Sequence, residues 1–180
     1  ISASVSGNAV TFISTQDFYG NESFTAYVSD GEYIDSQSFF VEVLPINDAP
    51  VIDLITNQNT NEDNTITIGL SANDIDSDIL YFSASTDGEA SLSISGNELT
   101  VTPNLNYFGD IAINVSVQDS DQLEDDTSFI LTVNPINDAP VLVTFDNVTF
   151  SEDTSYNLQL EASDVDNEEL IFNISQVKNL

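Results

Sequence analysis

The chain has 180 residues and carries 31 Asp and Glu residues against a single Lys or Arg, so its formal net charge at pH 7 is -30. This charge excludes nucleic-acid binders and proteins that dock on anionic lipid, because both need clustered Lys and Arg. The chain contains no His and no Cys, which excludes Ser-His-Asp and Cys-His nucleophiles, the usual zinc sites and disulfide frameworks. We therefore expect no enzyme. A hydrophobic content of 41% is enough for a folded core, and no apolar run approaches the roughly 20 residues that span a bilayer.

The sequence contains an internal repeat, and such a repeat indicates a fold built of repeated structural units. The string PINDAPV occurs at Pro45 to Val51 and again 90 residues later, at Pro135 to Val141. The same step relates Glu62-Asp63 to Glu152-Asp153 and Asp74-x-Asp76 to Asp164-x-Asp166. A step of 89 residues relates SVSGN at Ser4 to SISGN at Ser93, and Phe18-Tyr19-Gly20 to Tyr107-Phe108-Gly109.

The register of the repeat predicts the domain organisation. Residues 1–45 form the C-terminal half of one repeat, residues 46–135 a complete repeat, and residues 136–180 the N-terminal half of the next repeat. We expect any secretion signal or anchor to lie outside these residues, so their absence here says nothing about targeting.

Short alternating segments rich in β-branched and aromatic residues predict strands between turns of Asn, Asp, Gly and Ser. In the complete repeat they fall at Val51–Ile55, Thr65–Ser71, Ile79–Ser85, Ala90–Ser95, Glu98–Thr102, Ile111–Val117 and Ser128–Val133. The first half-repeat adds Ala9–Ile13, Ser23–Val28 and Ser38–Val43, and the last adds Val141–Phe145, Ser155–Leu160 and Glu169–Ile174. About seven short strands in 90 residues are typical of an Ig-like sandwich. The sequence therefore predicts an all-β fold of tandem Ig-like, Greek-key β-sandwich repeats.

Several acids fall at fixed places in the repeat, at the ends of predicted strands. Loops at one pole of a sandwich lie near the linker, so Asp74, Asp76 and Asp119 are expected to converge with linker residues Asn47 and Asp48. Hard divalent cations such as Ca²⁺ take six to eight oxygen ligands from carboxylates, Asn side chains and carbonyls. Two unit negative charges 4 Å apart repel by on the order of 4 kcal/mol at an effective dielectric of about 20. The pattern thus predicts a Ca²⁺ site at this pole.

The order of these motifs resembles the cadherin repeat, and more closely the tandem cadherin-like repeats of large bacterial surface and adhesin proteins. The resemblance rests on Glu-Asp near the first strand, Asp-x-Asp before a Leu-x-Phe strand, a late Val-x-Asp and an Asn-Asp-x-Pro linker. It implies Ca²⁺ at each junction between repeats. The first junction would use Asn47, Asp48, Asp74, Asp76 and Asp119, and the second would use Glu62, Asn137, Asp138, Asp164 and Asp166.

The sequence departs from the vertebrate cadherin pattern in two places. The Asp-Arg-Glu motif is replaced by QDFYG or LNYFG, which leaves Asp17 or Asn106 as the oxygen donor there. The linker is one residue shorter, and its leading Asp is Pro45 or Pro135. Fewer carboxylates at each junction suggest one or two ions. The chain also has no Trp for a swapped-strand adhesive contact.

These features predict an extracellular stalk segment of a cell-surface adhesin, stiffened by Ca²⁺, whose partners are the neighbouring repeats and, through other domains, an unidentified surface ligand. We expect no direct membrane insertion of this segment. The alternative is a carbohydrate- or protein-binding module of a secreted protein. Two simpler readings remain beside them: the Asp-x-Asp residues can form Asx-turns with their own backbone, and the acids can serve halophilic solubility, which predicts scattered carboxylates.

Overall fold

The computed structural model describes residues 1–76, 79–166 and 169–176. These residues form strands, turns and irregular segments, with no helix among them, so the predicted all-β class is confirmed. It follows that the described part of the chain contains no helix long and apolar enough to cross a membrane. Contacts divide the chain into two compact units. The first unit comprises Ile1–Leu54, Leu70–Ser83 and Val115–Thr127, and the second comprises Ile55–Gly69, Ala84–Asn114 and Ser128–Leu180.

The strands observed in the described residues are short, as the turn-rich sequence predicts. They are β1 (Ser2–Ser6), β2 (Ala9–Ile13), β3 (Gly20–Ser29), β4 (Ile34–Val43), β5 (Val51–Ile52), β6 (Gln58–Asn61), β7 (Ile66–Gly69), β8 (Ala72–Asn73), β9 (Tyr81–Thr86), β10 (Ala90–Ser95), β11 (Glu98–Pro103), β12 (Gly109–Gln118), β13 (Glu124–Asn134), β14 (Val141–Leu142) and β15 (Ala162–Ser163). A four-stranded sheet has the order β6-β13-β12-β9.

Antiparallel pairs build the first unit. A two-residue turn joins β1 to β2, and Gly7 takes φ 63° there, a conformation that glycine adopts at little cost. The long hairpin β3–β4 pairs Gly20 with Val43 at one end and Ser29 with Ile34 at the other. The short strand β5 pairs with β8, and this contact places the residues after the linker beside the Asp-x-Asp loop.

The second unit repeats two of these arrangements and adds a parallel pair. The hairpin β10–β11 extends to β7 in an antiparallel sheet, and its turn at Gly96 repeats the turn at Gly7. Strands β14 and β15 pair as β5 and β8 do, 90 residues earlier. Strand β6 runs parallel to the end of β13, with Asn61 opposite Asn134. This parallel register places Glu62 beside the start of the second linker.

The core follows the predicted period-two alternation. In β12 the side chains of Ile111, Ile113, Val115 and Val117 are buried, and in β13 those of Phe129, Leu131 and Val133 are buried. In the first half-repeat, Phe12, Phe24 and Phe39 form an aromatic cluster with ring centroids 5.1 to 6.3 Å apart, but these rings are only half-buried.

Two predicted strands of the last half-repeat are not formed. The ranges 155–160 and 169–174 are described as irregular. Their counterparts in the complete repeat are held by ladder partners, since β7 pairs with β11 and β9 lies beside β12. Within the described residues neither range is part of a ladder, and an apolar alternation without a partner strand does not form one. The domain boundaries at residues 45 and 135 stay a prediction.

Candidate metal centre

The Asp-x-Asp loops directly follow β8 and β15, and each is an Asx-type turn. The backbone N–H of Asp76 donates to Oδ1 of Asp74 at 2.8 Å. The N–H of Asp166 donates to Oδ1 of Asp164 at 2.9 Å. The turn reading of these residues is therefore correct, and it orients the second Asp of each loop by a hydrogen bond that leaves the carboxylate of that Asp available.

Each linker is fastened to its Asp-x-Asp loop by the same bond. The backbone N–H of Asp48 donates to Oδ2 of Asp76 at 2.9 Å, and the N–H of Asp138 donates to Oδ2 of Asp166. The two linker asparagines also behave alike. Their Nδ2 groups donate to the carbonyl of the next residue, at 3.1 Å for Asn47 and 2.6 Å for Asn137. The structure thus builds one linker arrangement twice, 90 residues apart.

Asp119 lies in the turn between β12 and β13 of the first unit and is only 2% exposed. Its Oδ1 accepts the N–H groups of Asp121 and Leu123 at 2.8 and 2.9 Å, and its Oδ2 accepts Nδ2 of Asn47 at 2.7 Å. Burial opposes ionisation of this carboxyl, but the amide of Asn47 and the backbone N–H groups, including that of Gln122, outweigh it and lower the pKa. The charge of Asp119 is therefore compensated by protein dipoles.

Asp30 occupies the equivalent turn of the first half-repeat. Its Oδ1 accepts the N–H groups of Glu32 and Tyr33 at 2.9 and 2.8 Å, and hydrogen bonds from Tyr33 and Glu32 lower its pKa. The turn carboxylate therefore recurs in both repeats, and only at Asp119 do we see a linker amide on its second oxygen.

Asp17 joins the first group through a cavity. Asp17, Asp48 and Asp76 line a cavity of about 260 Å³ together with Phe18, Tyr19 and residues of the linker. Burial, then the negative charges of Asp17, Asp76 and Asp74, raise the pKa of Asp48. The structure thus connects the five residues predicted for the first junction, and Asp17 with them, through hydrogen bonds, charges and the cavity: Asn47, Asp48, Asp74, Asp76 and Asp119.

Glu62 is the central residue of the second group. It is 3% exposed, its N–H donates to the carbonyl of Asn134 at 2.9 Å, and its Oε1 accepts the N–H of Ile136 in the linker. Its Oε2 is buried without a hydrogen-bond partner, as is Oδ2 of Asp138. A buried carboxylate oxygen without a partner carries a large desolvation cost unless a positive charge is supplied.

Three carboxylates converge in the second group. One oxygen from each of Glu62, Asp138 and Asp166 lies within 4.8 Å of the other two. Among the described residues of the first unit, no three carboxylates satisfy this distance. The donors are oxygens, the ligands of hard cations such as Ca²⁺ and Mg²⁺. The chemistry of the second group therefore fits a hard divalent cation.

The side chains of two residues, the predicted Asn106 and the unpredicted Asp121, lie outside the contacts described above. Asn106 shares the left-handed backbone of its equivalent Asp17, with φ 56° and 58°, but the contact that the structure shows for it is its N–H donating to Oδ1 of Asp63 at 2.9 Å. Asp121 was not predicted, yet it lines a cavity of about 390 Å³ with Tyr19, Pro45, Asn47 and Asp76. Its position two residues after Asp119 was the available signal. Ligation by any of these residues stays a prediction.

Comparison with known proteins agrees with this fold. Residues 47–132 match the model of a bacterial Ig domain family. A search of curated proteins finds no match. Among solved structures, protocadherin gamma B7 extracellular cadherin domains 1-4 are similar, with 18% identity, a TM-score of 0.52 and 88% of this chain covered. Human CDH23 EC21-23 has 18% identity and a TM-score of 0.52 over 89% of this chain, and human protocadherin-24 EC1-2 has 14% identity and a TM-score of 0.51 over 76%.

These identities are low enough that the structures inform the fold alone. The chain spans 44% of the protocadherin gamma B7 structure, 59% of the CDH23 structure and 77% of the protocadherin-24 structure. The recognition of cadherin-like repeats in the sequence is confirmed at this level. Residues 47–132 match the bacterial Ig domain family, and the chain has an all-β, Ig-like fold similar to that of cadherin domains.

Proposed function

We propose that the chain is a stalk segment of a bacterial cell-surface adhesin in which Ca²⁺ is held at the junctions between repeats. Bacterial Ig-like and cadherin-like domains are typical of surface proteins, which supports the location. The observation that carries the proposal is Glu62, a 3% exposed residue with an unpartnered buried Oε2 beside the carboxylates of Asp138 and Asp166.

Electrostatics favours a cation at the second group. Two unit negative charges about 4 Å apart repel by on the order of 4 kcal/mol at an effective dielectric of about 20, and three carboxylates share this space. The described contacts of the group provide backbone N–H donors from Ile136 and Asp138 but no side-chain cation. Charge repulsion is thus only partly offset by the protein itself.

The residues suited to hold Ca²⁺ there are Glu62, Asp138 and Asp166, with Asp164 orienting Asp166 through its N–H. When bound, the ion would supply positive charge that neutralises the carboxylates of the turn after β6, the linker and the loop after β15. The linker already donates one hydrogen bond to each of the other two segments, from Ile136 to Glu62 and from Asp138 to Asp166. These hydrogen bonds support the proposal because they hold the three proposed ligands close together.

The first group is proposed to act in the same way, with Asp17, Asp48 and Asp76 around their shared cavity. The support is the repetition of the linker bonds: Asp48 to Asp76 in the first unit and Asp138 to Asp166 in the second.

The test is thermal unfolding and calcium titration of the chain, in chelator and then at 10 mM Ca²⁺. Extracellular sites of this kind have dissociation constants of about 10⁻⁴ to 10⁻³ M, which gives about 1.4 to 2.7 kcal/mol of stabilisation per site at that concentration. A melting temperature higher by several degrees, and a changed maximum dimension in small-angle scattering, are expected. If neither quantity moves with Ca²⁺, the proposal is wrong.

A carbohydrate- or protein-binding module is the second candidate, and the cavity at Tyr19 and Asp121 favours it. Tyr19 is 60% exposed there, and its counterpart one repeat later is Phe108, which has no hydroxyl. A glycan array probed with the chain in Ca²⁺ and with a Tyr19→Phe variant tests this candidate. Binding that depends on the Tyr19 hydroxyl supports it, and the absence of any bound glycan removes the carbohydrate form.

A further inference from the structure

The side chain of Asn47 uses its amide nitrogen, not its oxygen, in the contacts that the structure shows. Nδ2 donates to Oδ2 of Asp119 at 2.7 Å and to the carbonyl of Asp48 at 3.1 Å. These two acceptors lie on different segments, the turn between β12 and β13 and the linker that leads to β5. One amide group therefore bridges the linker to a buried carboxylate 72 residues away in sequence.

The contact is a strong one by its chemistry. Asp119 is 2% exposed and its Oδ1 is already occupied by two backbone N–H groups, so the Asn47 amide is the donor seen on Oδ2. Hydrogen bonds to an ionised acceptor are roughly twice as strong as neutral ones. Leaving a buried acceptor without its donor costs the full desolvation of that group.

We propose that Asn47 is a positioning residue that holds the linker against Asp119 through its amide nitrogen. This hydrogen bond holds the linker in place at the first junction, where repulsion among the carboxylates would otherwise push it away. The linker is therefore held in position beside the neighbouring group of Asp17, Asp48 and Asp76 before a cation binds there. The inference concerns the same junction as the proposed Ca²⁺ site but does not depend on the ion.

The alternative role for Asn47 is ligation through its oxygen, as the sequence predicts. The two roles give opposite expectations for Asn47→Asp. An oxygen ligand is kept or improved by a carboxylate, whereas an amide donor is lost and a carboxylate is placed against the buried Asp119. Asn147→Asp makes the same charge change at an exposed residue of the second unit and serves as the matched control.

The experiment measures melting temperatures in chelator for Asn47→Ala, Asn47→Asp, Asp119→Asn and the double variant Asn47→Asp/Asp119→Asn. In the double variant the pair is reversed: Oδ1 of the new amide still accepts the N–H groups of Asp121 and Leu123, and its Nδ2 donates to the new carboxylate. We expect Asn47→Asp to melt below Asn47→Ala, the double variant to recover most of that loss, and Asn147→Asp to melt as the unchanged chain does.

A second measurement uses the unchanged protein, so it does not depend on any variant folding. In chelator, the side-chain amide protons of Asn47 should exchange with solvent at least about tenfold more slowly than those of exposed Asn147. Equal exchange rates, or a chelated Asn47→Asp variant that melts with the unchanged protein, would overturn the proposal whatever the outcome of the calcium titration. A double variant no more stable than Asn47→Asp would do the same.

Discussion

The backbone N–H of Asp48 donates to Oδ2 of Asp76 at 2.9 Å, and the bond recurs between Asp138 and Asp166. In both places a linker acid is held against the second acid of an Asp-x-Asp loop. The bond satisfies a backbone donor and at the same time brings two carboxyl groups together. Because each bond belongs to its own linker, we expect the two proposed sites to bind independently.

Asp76→Ala is therefore expected to affect one site and spare the other. It removes the acceptor of the Asp48 N–H and one proposed ligand, so calcium affinity at the first site should fall by more than about tenfold. Calorimetric titration should still show the second site, and Asp166→Ala should give the reverse result. Equal loss at both sites in either variant contradicts the assignment of two independent groups.

Glu62→Gln is expected to separate the desolvation cost of the buried carboxylate from its contribution to calcium binding. The amide keeps an oxygen for the Ile136 N–H and presents donors toward Asp138 and Asp166. In chelator the variant should be as stable as the unchanged chain or more stable by about 1 kcal/mol. In 10 mM Ca²⁺ it should lose the calcium-dependent rise in melting temperature at its site.

The matched control for this prediction is Glu152→Gln, one repeat later. Glu152 is exposed, so its variant should behave as the unchanged chain with and without Ca²⁺. If Glu62→Gln retains the full calcium response, Glu62 is not a ligand. If both variants lose it, the response does not come from the Glu62 group.

The pH dependence of stability should differ in sign between Asp119 and Asp48. The pKa of Asp119 is lowered, so its ionised form stabilises the fold above the unfolded value of about 3.9, and this contribution is lost as pH falls through the lower folded pKa. The pKa of Asp48 is raised, so its ionisation costs stability above the folded pKa and that cost disappears in acid.

The predicted difference in sign is checked by measuring melting temperatures in chelator from pH 7 to pH 3. The variants to compare are Asp119→Asn and Asp48→Asn. At pH 7 the first variant should melt below the unchanged chain and the second above it, and both differences should shrink below about pH 4. Differences that stay constant across this range would show that neither carboxylate is shifted as the structure indicates.

Much of the fold was predictable because it depends on local pattern. Alternation identified β10 at its observed limits, Ala90–Ser95, and identified Ile111 to Val117 as the buried face of β12. Strand β6 was missed because its sequence, QNTN, has no apolar alternation, and only its parallel pairing with β13 makes it a strand. Sequence periodicity reports burial, whereas a polar edge strand is defined by its partner.

The sequence identified residues that lie in the two candidate groups, but it did not predict how they are hydrogen-bonded. The repeat register identified Asn47, Asp119 and Glu62, because residues that recur at one step occupy equivalent loops. It could not show that the Asn47 amide nitrogen faces Asp119, since Asn offers both a donor and an acceptor and three-dimensional contacts decide which is used. It also could not show that Glu62 keeps one buried oxygen without a partner.

Phe129 and Phe39 occupy equivalent positions, 90 residues apart. Substituting each of them compares the packing of the first half-repeat with the core of the complete repeat. Phe129 is 3% exposed, whereas Phe39 is half-buried in the cluster with Phe12 and Phe24. Phe129→Ala should cost about 3 to 5 kcal/mol of unfolding free energy, measured by denaturant, because a large buried ring leaves a cavity. Phe39→Ala should cost clearly less, because part of its ring already contacts solvent. Equal costs would mean that Phe39 is covered in solution and that the exposed aromatic face of the first half-repeat is closed.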